Sequence, residues 1–168
     1  GYFSPKGIRA SSLKLWQQSG LSAVEFGVDT LSEPLLAAYH KNFSISEVHS
    51  AAACCSEARL PYALSLILGG PGETRDTLEE TLRNSELFKR AVFMVLVGMR
   101  IYPDTPLHQL ALNEGYIADD TNLLEPVFYV SRTIEQDCLQ KRLAELGKRP
   151  NWLVSGHGMK EREAYAAT

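Results

Sequence analysis

The sequence predicts an α/β fold of parallel strands, a partial TIM-type (β/α) barrel followed by a C-terminal helical element, and three observations carry that expectation. Helical and strand patterns alternate along the chain. Strand starts near residues 23, 63 and 92 are 40 and 29 residues apart, as successive βα units of a barrel or doubly wound sheet would be. Residues 61–74, PYALSLILGGPGET, form an apolar run that breaks into glycines, Pro71 and Glu73 before an amphipathic helix. Such a joint lets backbone approach a bound molecule, and in α/β folds ligands sit at the carboxyl ends of the strands.

Each element has a local reason. A first helix over 10–19 stops at Gly20, a common helix C-terminus. A short strand covers 23–28 (AVEFGV), and helices follow over 32–39 and 46–59. The latter opens on a capping box, Ser44 with Glu47, and carries Ile45, Val48, Ala52 and Cys55 as its apolar stripe. A strand over 63–68 leads into the glycine loop. The next helix, 75–88, turns Leu78, Leu82 and Phe88 inward, with Asp76 favouring its N-terminus. Residues 92–97 are continuously apolar, the pattern of a parallel strand covered on both faces. A proline-bracketed loop, 103–106, precedes a helix that stops at Gly115. Beyond a loop at 117–126, one amphipathic helix is expected over 131–146, then a charged tail from Gly147 that frays over 164–168. The expected division is a half-barrel over 1–116 and an accessory element over 117–168. Three parallel strands leave two edges to cover, and a full barrel takes about 250 residues, so the chain is expected to hold part of one.

Composition narrows the function classes. The chain has 168 residues, 45% hydrophobic and 22% charged, enough for a core of its own. A net charge of −3 with no basic block gives no field that would gather nucleic acid. No apolar run reaches the roughly 18 to 20 residues of a membrane span, and residues 1–10 lack a secretory core, so a cytoplasmic protein with no membrane partner is expected. Cys54, Cys55 and Cys138 are in no metal-ligand spacing and read as structural, Cys55 packing with Val48 and Ala52. His40, His49, His108 and His157 have no partner at a metal spacing and read as surface or capping residues.

Three segments in order resemble the second half of the partial barrel of the radical S-adenosylmethionine superfamily. GLSAVEFGVDTLSEPLLAAYHK (20–41) is similar to the fourth-strand segment, LSLILGGPGET (64–74) to the fifth-strand segment ending in GLPGET, and RIYPDTPLHQLALNEG (100–115) to the sixth-strand segment ending in YPGTPL. The style of strand and loop is closest to the subgroup with cobalamin-binding enzymes and methylthiotransferases. The resemblance implies a S-adenosylmethionine site on this chain. Asp29 takes the place of a Glu or Gln that bonds the ribose hydroxyls, with a helix cap beside Thr30 as its plainer role. Lys41 matches a basic residue that meets the cofactor carboxylate, or is a solvated helix-end lysine. Leu66, Ile67 and Leu68 would lie along adenine, or are core. Gly69, Gly70, Gly72 and Glu73 match the adenosine-contacting loop, with Gly70 replacing a Leu or Phe and so removing a side chain from the floor of the site. Arg100, Ile101 and Tyr102 would offer backbone to the adenine edge, with Asp104 replacing a glycine. Tyr102 with Pro103 reads equally as rim packing. A phosphate loop at 69–73 is disfavoured, since it lacks the Lys-Ser/Thr pair.

One departure shapes the functional expectation. The family's CxxxCxxC motif, which ligates a 4Fe-4S cluster through thiolates, is absent from the sequence. The resemblance therefore implies part of an iron–sulfur enzyme that cleaves S-adenosylmethionine reductively to a 5′-deoxyadenosyl radical. The cluster would come from a missing N-terminal half of the same polypeptide. The fragment alone is expected to be inactive, with no tightly bound cofactor, an unidentified substrate, and cobalamin as a further cofactor of the parent. Two rivals stand: a noncatalytic half-barrel that dimerises through its open edges, and a barrel lyase or synthase using Glu73 and Asp104 as acid and base.

Overall fold

A computed structural model describes residues 1–155. His157 and the frayed end expected at 164–168 lie outside the described residues. The elements, in order, are β1 (Tyr2–Phe3), α1 (Ala10–Gln18), β2 (Val24–Asp29), α2 (Glu33–Ala38), α3 (Ile45–Glu57), β3 (Tyr62–Leu68), α4 (Arg75–Ser85), β4 (Val92–Val97), β5 (Met99–Arg100), α5 (Pro106–Asn113), β6 (Phe128–Tyr129), α6 (Gln136–Leu146) and β7 (Trp152–Ser155). Five strands form one parallel sheet in the order β1-β2-β3-β4-β7, while β5 and β6 pair antiparallel. Among the described residues the sheet does not close. Here too, no helix is long and apolar enough to cross a membrane.

Local chemistry sets the helix starts. Ser44 and Glu47 exchange side-chain-to-backbone bonds at the head of α3, and Thr74 and Thr77 do the same for α4. These reciprocal bonds satisfy amides that the first turn leaves without partners.

The two faces of the sheet differ. Val24, Phe26 and Val28 of β2, Leu64, Leu66 and Leu68 of β3, and Phe93, Val95 and Val97 of β4 are buried beneath the helices with Leu13, Val48, Cys55, Leu78, Leu139 and Leu143. The opposite face is open, with Met94 40% and Leu96 45% exposed. The apolar run at 92–97 thus alternates strictly in burial, in place of the two-sided cover its composition predicts. Composition cannot separate the cases, because an apolar residue has no intrinsic side; the helices lie on one face only.

The structure also corrects the edges and the end of the chain. β1 and β7 flank the three expected strands. The segment after Gly147 returns to the sheet because Trp152 stacks on Phe93 at 4.3 Å between ring centroids, while Phe93 N–H donates to Asn151 O at 2.8 Å and Asn151 Nδ2 to Ala91 O at 3.0 Å. The last helix begins at Gln136, later than position 131, since the preceding residues are drawn onto the glycine loop. Val130, Ile134, Leu139, Leu143, Leu146 and Trp152 share the main core with residues before position 116, and Ile101, Ala111 and Tyr129 form a second small core across that same position. These residues between 129 and 152 therefore pack as part of the same cores as the strands and helices before position 116.

Gly98 ends β4 with φ +77°, and a Cβ there would lie 2.7 Å from the Tyr129 carbonyl oxygen. Gly98→Ala is expected to lose about 2 kcal/mol or more of unfolding free energy, read by urea denaturation.

Candidate functional site: the mouth at the strand ends

Adjacent parallel strands β2, β3 and β4 end at one edge of the sheet, and the three predicted segments meet there. Asp29 closes β2 just after a register shift against β3, with φ +64°. A left-handed conformation is costly for a residue other than glycine, and Asp29 is held in it by an ion pair with Lys41, whose Nζ also donates to Gly27 O at 3.3 Å. The two predicted residues are thus together, both partly exposed, and the Asp29 carboxylate has acceptor capacity beyond its bond to Lys41.

The glycine loop is built from beneath. Glu73 is 0% exposed; its carboxylate accepts the Gly69 N–H, and its Oε1 has no hydrogen-bond partner among the described residues. Burial pushes its pKa up to about 7 against the opposing pull of the Gly69 and Gly70 amides. From above, Ser131 N–H donates to Gly69 O at 2.8 Å, and the Ser131 and Thr133 hydroxyls donate to Glu73 O at 3.1 and 2.6 Å. Gly69 and Gly72 both have positive φ. Glu73 is therefore a brace for the loop. A carboxylate sealed in this way cannot reach a substrate, which removes the acid–base pairing of Glu73 with the exposed Asp104.

At Gly70 the structure shows what occupies the space of the absent side chain. A Cβ there would overlap the Tyr39 hydroxyl, which is buried without a partner. Burial first, then the neighbouring Glu73 and Asp29 carboxylates, raise the Tyr39 pKa, so the phenol stays protonated. The removed side chain is thus replaced by a phenol from α2's C-terminus. Only the substitution at Gly70 signalled this in the sequence.

Of the remaining predicted residues, Leu66 and Leu68 put their side chains into the helix-side core at 1% and 0% exposure, so they offer the mouth only backbone. Ile67, between them, lies on the open face. Ile101 is buried in the second core, its N–H donating to Val127 O at 2.8 Å. The Tyr102 carbonyl accepts the Thr105 hydroxyl at 2.7 Å. These two backbone groups are bonded within the fold. The Arg100 guanidinium lies 4.7 Å from the centre of the exposed Tyr102 ring, and Arg100 Nε is buried with no hydrogen-bond partner among the described residues. Among the described residues no three His, Cys, Asp or Glu side chains are grouped to hold a metal ion. Cys54 and Cys55 sit on α3 and Cys138 on α6, and burial pushes the Cys55 thiol up to about 11.

Solved structures decide what this arrangement resembles. A cobalamin- and [4Fe-4S]-bound radical S-adenosylmethionine methyltransferase, TsrM from Kitasatospora setae, superposes with a TM-score of 0.73 at 16% identity, covering 92% of this chain and 38% of that one. The chain shares its fold with radical S-adenosylmethionine enzymes. TsrM with tryptophan substrate and a S-adenosylmethionine analogue gives 0.72 at 14% identity, over 94% of this chain and 38% of that chain. Coproporphyrinogen III oxidase (HemN) from Escherichia coli, a radical S-adenosylmethionine enzyme, gives 0.59 at 19% identity, over 88% and 31%. The chain thus spans between about a third and two fifths of these proteins. No family model and no curated protein matches the sequence. The half-barrel expectation stands in its fold, with the cobalamin-bound enzyme among the structural neighbours.

Two outcomes follow from the loop. The folded state holds the Glu73 proton more tightly than the unfolded chain does, so stability falls as pH rises from about 4.5 to about 7 and then levels off. The expected loss is on the order of 3 kcal/mol, and Glu73→Gln should flatten the profile of urea midpoints across that window. Tyr39→Phe removes an unpartnered buried hydroxyl and should stabilise by about 1 kcal/mol. Gly70→Ala should destabilise the native background by about 1 to 2 kcal/mol and do so less in Tyr39→Phe, a coupling that a double-mutant cycle measures.

Proposed function

We propose that this chain forms the ribose-and-adenine wall of a S-adenosylmethionine site in a radical S-adenosylmethionine iron–sulfur enzyme. The observation that carries the reading is the placement of Asp29, at the bulged end of β2 beside the glycine loop that ends β3, with Lys41 bonded to it. That edge suits an adenosyl ligand. Asp29 supplies acceptors for ribose hydroxyls, Lys41 a cation for a carboxylate, and the Arg100–Tyr102 stack a flat cationic surface for an aromatic base. At Gly70 the Tyr39 hydroxyl takes the space of a side chain and forms that part of the floor.

Bound S-adenosylmethionine supplies, on one-electron reduction, the radical chemistry of the superfamily. This chain's residues bind and orient it. The electron source is assigned elsewhere, because the sequence contains no CxxxCxxC motif and thiolates hold such clusters. We place the ligating cysteines on a preceding half-barrel of the same polypeptide, in the cytoplasm, and assign cobalamin to the complete enzyme as a further cofactor. Substrate identity is not carried by the fold.

Calorimetric titration of this protein with S-adenosylmethionine should show binding that weakens about tenfold in Asp29→Ala. In the complete polypeptide, reconstituted anaerobically with iron and sulfide, dithionite-dependent release of 5′-deoxyadenosine should fall in the same variant. Release unchanged in Asp29→Ala would overturn the ribose assignment. Neither cluster nor release would favour the noncatalytic half-barrel.

A further inference from the structure

The open face of the sheet holds a second arrangement, below the mouth and distinct from it. Glu25 of β2, Ser65 of β3, Met94 and Leu96 of β4, and Leu153 and Ser155 of β7 line a concave cavity of about 530 Å³. Ser65, Met94 and Leu153 are in register across three strands and form its floor. Leu153 is 57% exposed, so the apolar floor faces outward. That volume suits a small molecule, and a mostly apolar lining with few convergent polar groups is the usual makeup of a ligand site.

Glu25 is the charged residue of this lining, beside the hydroxyls of Ser65 and Ser155, and among the described residues it has no ion-pair partner. Glu25 accepts the Ser65 hydroxyl, while a carboxylate has acceptor sites for about four bonds. Among the described residues the ion pairs are Lys41 with Asp29, Lys89 and Arg149 with Glu86, and Arg142 with Glu79 and Glu145. Glu25 is in none of them. A carboxylate at the edge of an apolar cavity is costly unless paired, and Tyr2, in register with Glu25 on β1, presents an exposed aromatic ring beside it. An aromatic face and a carboxylate together favour a cation. A second copy docked on this face would bury the Glu25 carboxylate without a cation, which disfavours that occupant.

We propose that this cavity binds a small molecule with an apolar body and a protonated nitrogen, the nitrogen paired with Glu25 and the body laid over Met94, Leu96 and Leu153. The inference deepens the proposed function and rests on it only for the ligand's role as substrate; binding at Glu25 is tested separately. The sequence has three methionines, Met94, Met99 and Met159, so carbon-13 methyl labelling gives three signals, of which Met94→Leu identifies one. Titration with 2-phenylethylamine should shift the Met94 signal, with a dissociation constant about tenfold lower than for 3-phenylpropionate. Glu25→Gln should abolish that difference while leaving the melting temperature and the Met99 signal in place, whereas Ser65→Ala should preserve it. Equal response to both probes would reduce the cavity to an apolar patch and overturn the proposal. So would no response, or a Met94 shift that follows protein dilution without ligand, which marks contact between copies. S-adenosylmethionine titrated into the same samples reports on the mouth, so failure there with the amine response intact would sink only the substrate role.

Discussion

The buried carboxylate of Glu73 is the constraint on which the rest of the mouth depends. It lies under the loop it belongs to, holding the Gly69 amide, and its own backbone carbonyl is held by Ser131 and Thr133 from the far side of the chain. Both sides of the loop are therefore fixed by hydrogen bonds in a setting of low polarity, where such bonds are strong and their loss is expensive. Ser131 and Thr133 are thereby tied to the mouth. Remove residues 130–133, and the glycine loop loses one of its two supports.

With the loop fixed, the neighbouring groups fall into place. Tyr39 can occupy the space above Gly70 only because Gly70 lacks a side chain, and its phenol then stands between the Asp29 and Glu73 carboxylates and stays protonated. Asp29 can leave the strand with positive φ because Lys41 reaches it from beyond α2. The mouth is thus assembled by groups that stabilise one another's strained or buried positions. That is a common arrangement where a fold holds a ligand, since binding sites concentrate residues that packing alone would not select.

The same sheet divides into two chemical surfaces. Helices cover one face and leave the other apolar but open, with the Glu25 carboxylate set into it and in no ion pair among the described residues. Alternation along β2, β3 and β4 enforces this division, because neighbouring side chains on a strand must point to opposite faces.

The order of strands and helices, the capping box of α3 and the glycine joint after β3 were all legible in the sequence, since each depends on contacts within a few residues or on a period that neighbouring residues share. The resemblance singled out Asp29 and Lys41 for separate roles, and their ion pair is a finding of the structure. Other features depended on residues far apart in the chain. β1 and β7 are too short to leave a pattern, and β7 forms because Trp152 finds Phe93. That the Leu66 and Leu68 side chains enter the helix-side core was not legible, because a run of apolar residues does not state which face each will take. Tyr39 above Gly70 and Glu73 beneath Gly69 were decided by the tertiary structure alone: burial, and the hydrogen bonds it makes obligatory, exist only once distant segments have packed.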